Sequence, residues 1–292
     1  RLGVEVGAVA AVATAARLLL PEPVGFGDRG NAHALLCNLN LRRDLPWGRP
    51  TAAGVTLQWT SYRWPGSSCG AAGTGQHQGS SQLAVLRLAK FLNPIFGFGG
   101  GLDLRSAGIV AAAIVGLLLG IIAWLAPGRP SARIVLACAL WLGAVDRGVA
   151  GFYLSGLAEP AAILGLLALI AAGFAVFRSP TPSVPSLVAL ELAGLVTLTS
   201  MPEMVALLPV VVVGLLWRPA EPLIRRGEPA STLRSGWRGR SVGLAAAGAI
   251  VLLVANYAGT QPRRDAQINR HDQVFQTILP LGSTPNGNAS PG

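Results

Sequence analysis

The feature that most constrains this chain is a series of apolar runs separated by polar or proline-containing breaks. A bilayer-crossing helix needs about 20 mostly apolar residues. Residues 2–20, 106–126, 161–177 and 241–257 meet that requirement. Residues 131–145 form a further apolar run that gives way to Asp146-Arg147. The runs 186–199 and 204–217 are shorter and flank Ser200-Met201-Pro202-Glu203. At about 1.5 Å per residue they are marginal for a bilayer, and read as two tilted spans or one re-entrant pair. The expectation is an all-α polytopic integral membrane protein with about seven transmembrane helices and a large first outer loop. Composition agrees, since 12% of residues are charged, against about 25% in a soluble domain. Disorder, which needs low hydrophobicity and high charge, is excluded. Three cysteines exclude a disulfide scaffold or a zinc module.

The organisation follows. Residues 1–20 are the first span, although Glu5 and Arg17 interrupt it. A signal peptide is the competing reading, and Arg17 near the end of the run argues against it. Residues 21–105 form an outer loop. Its first part, 21–82, is rich in Gly, Pro, Ser, Asn and Arg without helical periodicity. A loop this long is expected to have a function. Its second part, 83–98, is apolar but carries Arg87 and Lys90, and reads as a helix lying at the membrane interface. Residues 106–258 are the helix bundle, and 259–292 an outer polar tail. The start at Arg1 and the polar finish at Gly292 read as those of a fragment or truncated product.

Charge sets the orientation. The net charge is +10, and Lys90 is the single lysine among 23 basic residues. The arginines sit in loops beside apolar runs, which points to membrane topology and not to nucleic acid. Arg218, Arg225, Arg226, Arg234, Arg238 and Arg240 form the densest basic stretch between apolar runs, and such stretches stay cytoplasmic. Counting outward puts Arg129, Arg133, Arg178 and the N-terminus inside. The loop 21–82, segment 146–159, the turn 201–203 and the tail then lie outside. Cys37 and Cys69 both fall in the outer loop, where a disulfide and two free thiols are equally compatible with the pattern, and Cys138 falls in a span.

Acidic residues are few, so their places are informative. Glu22, Asp28, Asp44, Asp146, Glu159 and Glu203 all fall on the outer face in this topology. Carboxylates at a membrane edge are costly unless paired or solvated. Each has a plain structural reading beside the functional one. Asp146 can pair with Arg147, Glu159 and Glu203 can sit at helix starts beside a proline, and Asp28 can be a turn aspartate. Glu191 interrupts an apolar run. With Pro209 it is the only hint of the alternative function, a transporter or a non-enzymatic component of the envelope membrane. His33, His77 and His271 have no metal-ligand spacing, and no phosphate-loop or zincin motif occurs.

Gly30-Asn31-Ala32-His33-Ala34-Leu35-Leu36-Cys37-Asn38-Leu39 resembles the first outer-loop motif of a bacterial, mainly actinobacterial, family. These are polytopic membrane proteins described as glycan-biosynthesis hexosyltransferase-like, of the GT-C type. The stretch from Asp146-Arg147-Gly148 through Gly151-Phe152-Tyr153 to Glu159-Pro160-Ala161-Ala162 is similar to a second motif. Asn269-Arg270-His271-Asp272-Gln273-Val274-Phe275-Gln276 resembles a third. The resemblance implies hexosyl transfer from a polyprenyl-phosphate donor to a cell-envelope glycan at the outer face of the plasma membrane. It implies Asp28 as the catalytic base and Asp146 and Glu159 as groups orienting the acceptor or a divalent cation. Arg29 or Arg147 would stand near the donor phosphate, with Arg42 and Arg43 as further candidates. No cofactor beyond such a cation is implied, and the expected partners are membrane lipid, the sugar donor and the glycan acceptor.

Overall fold

The computed structural model describes residues 1–21, 35–36, 38–39, 41–43, 62–63, 79–98, 102–178, 183–224 and 230–260. Its helices are α1 (Leu2–Leu19), α2 (Gln82–Leu92), α3 (Leu104–Leu125), α4 (Pro130–Ala144), α5 (Arg147–Ala150), α6 (Glu159–Phe177), α7 (Val184–Leu198), α8 (Leu208–Ile224) and α9 (Ala230–Thr260). Two 3-10 turns, Gly151–Leu154 and Pro202–Leu207, complete the helical part. Inside the 21–82 loop, Arg42–Arg43 pairs antiparallel with Tyr62–Arg63, a two-residue bridge among described residues that are mostly helical.

Among the described residues, four helical segments are long and apolar enough to cross a membrane: Leu2–Leu19, Leu104–Leu125, Glu159–Phe177 and Ser241–Thr260. A fifth is added if Pro130–Ala144 and Gly148–Leu154, bent by 65° at their junction, count as one span. Val184–Leu198 and Pro202–Leu216 are shorter apolar helices. The helices run past the apolar stretches read from the sequence. α8 continues to Ile224 and α9 begins at Ala230. Arginine is a good helix former, so the basic stretch need not end a helix.

The starts are set locally. Asp103 caps α3 by accepting from the Arg105 amide at 2.9 Å, and Ser183 caps α7 through the Ser186 amide. Pro130, Pro160 and Pro185 occupy first-turn positions of α4, α6 and α7, where a missing N–H costs nothing.

The helices alternate in direction. α1 lies antiparallel on α3 through two small-xxx-small pairs, Gly3/Gly7 and Gly116/Gly120. A Cβ on Gly116 would come within 2.5 Å of both Ala11 Cβ and the Gly7 carbonyl oxygen, and one on Gly120 within 2.6 Å of the Gly3 carbonyl oxygen. In lipid, helices gain little from hydrophobicity alone and associate by such close backbone packing. Leu154 packs against Gly108 near the start of α3, and Arg178 reaches the Trp124 carbonyl near its end, so α3 and α6 run parallel. α4 returns alongside α3 and α1, with Trp141 Nε1 donating to Thr14 Oγ1 of α1 at 3.0 Å. Thr197 of α7 packs on Gly165 of α6, Val211 of α8 on Gly194 of α7, and Ile250 of α9 on the same Gly194. One core therefore lies among α1, α3, α4 and α6, and a second among α6, α7, α8 and α9.

Alternation gives the bundle two ends. At the turn end, α3 meets α4 through residues 126–129, and α6 finishes at Arg178. At the loop end lie the close of α1, the start of α3, segment 145–158 and turn 199–207, together with the last residues of α9.

Candidate functional site

The loop end gathers most of the described polar side chains that the bundle buries. α2 lies across it, held at both ends. At its start, the Ser81 amide donates to the Thr199 carbonyl (3.0 Å), Ser81 Oγ to Val196 (2.6 Å) and Ser80 Oγ to Ser200 (2.7 Å). At its finish, buried Asn93 accepts from Ser106 Oγ (2.7 Å) and from the Asp103 amide (3.0 Å), while its own amide donates to Phe98 (3.2 Å). Arg105 grips Asp103 at 2.6 Å and stacks over the Phe98 ring, 4.2 Å from its centroid. Beneath α2, Leu36, Leu39 and Leu41 pack with Leu86, Ala89 and the first turns of α3. Leu36 and Leu39 of the first motif thus help seat α2 on the bundle, and Lys90 Nζ donates to the Leu39 carbonyl at 3.0 Å.

The sequence-derived candidates fall as follows. Asp28 and Arg29 lie outside the described residues, as do Glu22, Asp44 and the third motif. Asp146 is exposed and caps α5, its Oδ1 accepting from the Gly148 amide at 2.8 Å. Arg147 opens α5, and its side chain lies outside the described set. Glu159 opens α6, half-buried, with its carboxylate against the amides of Ala158 and of its own residue. The helix-start readings of Glu159 and Glu203 are therefore both met, since Glu203 stands in the first turn of its 3-10 segment. They do not exhaust the geometry. Glu203 is within electrostatic reach of Glu159 and also of Tyr257, near the end of α9. Three elements distant in sequence bring these groups together.

Sequence reasoning missed the uncharged part of the cluster. Tyr153 and Gln82 are each 1% exposed, and Tyr153 Oη, Gln82 Oε1 and Tyr257 Oη have no hydrogen-bond partner among the described residues. A buried polar atom without a partner costs about 1–3 kcal/mol, so such atoms draw attention to a site. Only Tyr153 had a sequence signal, as part of the second motif. Gln82 closes the polar loop and Tyr257 ends an apolar run, and both become visible only when α2 and α9 reach the same bundle end.

Carboxylates accept hydrogen bonds, and phenol and amide groups both donate and accept. This combination suits a ligand rich in hydroxyls. Among the described residues, no three His, Cys, Asp or Glu side chains gather as a metal-ion set would. Cys37 and Cys69 lie outside the described residues, and Cys138 is a free, exposed thiol on α4. Glu191 is half-buried on α7, away from the loop end. No protein-family model, curated protein or solved structure matches the chain.

Proposed function

We propose that the chain is a multi-pass plasma-membrane hexosyltransferase that acts at its loop end. It transfers a hexose from a polyprenyl-phosphate donor to a cell-envelope glycan on the outer face. The single observation that carries this reading is that Glu203 lies within electrostatic reach of both Glu159 and Tyr257 at the bundle end where the 21–82 loop begins and finishes. In the full topology α1, α3, α4, α6, α7, α8 and α9 each cross the bilayer, the N-terminus is inside and the loop end faces out. The alternating helix directions and the arginines of residues 218–240 support that arrangement.

The chemistry is a displacement at the anomeric carbon. An acceptor hydroxyl oxygen bonds to that carbon as its bond to the donor phosphate oxygen breaks, and the lipid phosphate leaves with the electron pair. Asp28 takes the hydroxyl proton. Glu159, with Asp146 on the linker before it, orients acceptor hydroxyls by accepting their hydrogen bonds. Arg29 or Arg147 offsets the charge that develops on the leaving phosphate.

Removing a general base costs about 10²–10⁴ in rate. Asp28→Asn should insert and fold normally yet lose transfer by that factor from a polyprenyl-phosphate hexose. Asp44→Asn, an acid outside all three motifs, should retain it. Near-wild-type transfer by Asp28→Asn would remove the catalytic assignment, and no transfer by wild-type protein with any such donor would remove the class. Glu191 favours the second reading, a transporter. Among the described residues no hydrogen bond or ion pair holds it, and an unpaired acid within a bundle is a place for a carried proton or cation. Solute flux in liposomes without glycosyl transfer would promote that reading.

A further inference from the structure

α2 has two apolar faces. Its inner face, Leu86 and Ala89, is fully buried against the first turns of α3. Its outer stripe follows helical spacing through Arg87, Leu88 and Phe91 and continues to Ile95 beyond the helix, and it is open. Phe91 is 74% exposed and Ile95 70%. Arg87 is exposed in the middle of the stripe, with no hydrogen-bond or ion-pair partner among the described residues. No carboxylate occurs between residues 79 and 98. The other cation of the helix, Lys90, turns inward to the Leu39 carbonyl. Hydrogen bonds at both ends fix α2 to the tops of α7 and α3, so the stripe sits where the bundle leaves the apolar layer.

We propose that this stripe is a docking site for an anionic phospholipid of the surrounding bilayer, with acyl chain against Phe91 and Ile95 and phosphate at Arg87. An apolar strip flanking one uncompensated cation fits a molecule that has a chain and a negative head, and an interfacial helix lies at the depth where the two join. A zwitterionic lipid offers the same chains without the net charge. The site is independent of sugar transfer and stands or falls separately from it.

The test uses the full chain with a photo-crosslinking phenylalanine analogue at position 91. It is reconstituted in vesicles of equimolar phosphatidylglycerol and phosphatidylcholine, and adducts are identified by mass spectrometry. Phosphatidylglycerol adducts should exceed phosphatidylcholine adducts about fivefold, the factor one basic side chain brings at an anionic surface. Arg87→Gln should bring the two to parity while circular dichroism and total adduct yield stay unchanged. The same analogue at Leu117, one helix away in the apolar layer, should show no headgroup preference. Equal adducts in wild type, a preference that survives Arg87→Gln, or crosslinks chiefly to a second copy of the chain would each overturn the proposal.

Discussion

The two ends of the bundle are built on opposite principles. At the turn end the helices pack through glycines, as Gly3 on Gly120 does, and the side-chain hydrogen bonds span 5 to 54 residues. Arg133 donates to the Gly128 carbonyl five residues back at 3.0 Å, and Gly128 itself adopts a left-handed φ of 101° that closes the turn. Arg178 stacks toward Trp124, 5.8 Å from its ring centroid. At the loop end the hydrogen bonds span more than a hundred residues, from Ser80 to Ser200 and from Ser81 to Val196. Shorter-range closure gives a rigid floor that tolerates change. Long-range closure makes the other end depend on how the bundle packs, and places buried polar groups where a ligand can use them.

That contrast orders the expected mutational effects. Asn93→Leu should be the most damaging, because it strips the Ser106 hydroxyl and the Asp103 amide of their shared acceptor in a buried place. The cost should be about 1–3 kcal/mol for each of the two stranded donors, read as a lower unfolding midpoint in mixed detergent, with loss of amide protection along α2. Removing both Ser80 and Ser81 hydroxyls should cost less, about 0.5–1.5 kcal/mol for each bond. Hydrogen exchange should then quicken in the first turn of α2 and around Thr199, while α4 keeps its protection. Arg178→Gln at the turn end should have the smallest effect, about 0.5–1 kcal/mol from the lost stacking, with exchange at the loop end unchanged. Equal responses at the two ends, or a turn-end change that loosens α2, would remove the distinction between them.

The same contrast explains what could be read in the sequence. The apolar runs and the apolar segment carrying Arg87 and Lys90 are local patterns, and helices stand over them, although α2 ends at Leu92 and α8 and α9 run on into the basic stretch. Residues 186–199 were too short for the usual length test, and α7 at Val184–Leu198 remains a short apolar helix. The acids Glu159 and Glu203 were legible as individuals because carboxylates are scarce in this chain. Their meeting with Tyr257 was not, since it depends on α9 running alongside α7, and no spacing within one segment records that. Gln82 was taken as the edge of a loop. Its burial follows from the anchoring of α2 on Thr199, a contact with no local sequence signal. The bend after Pro130–Ala144 was visible only as Asp146-Arg147 breaking an apolar run, because capping of a four-residue helix leaves little trace in composition.

In the proposed topology segment 146–159 and the turn 199–207 should share one face of the membrane, opposite the turn between α3 and α4 and the arginine-rich stretch. Single cysteines in a chain with Cys37, Cys69 and Cys138 replaced by serine test it with a membrane-impermeant maleimide on intact cells. Asp146→Cys and Glu203→Cys should both label from outside, whereas Ser131→Cys and Ser235→Cys should label only after permeabilisation. Labelling of Asp146→Cys and Glu203→Cys from opposite sides would contradict the account.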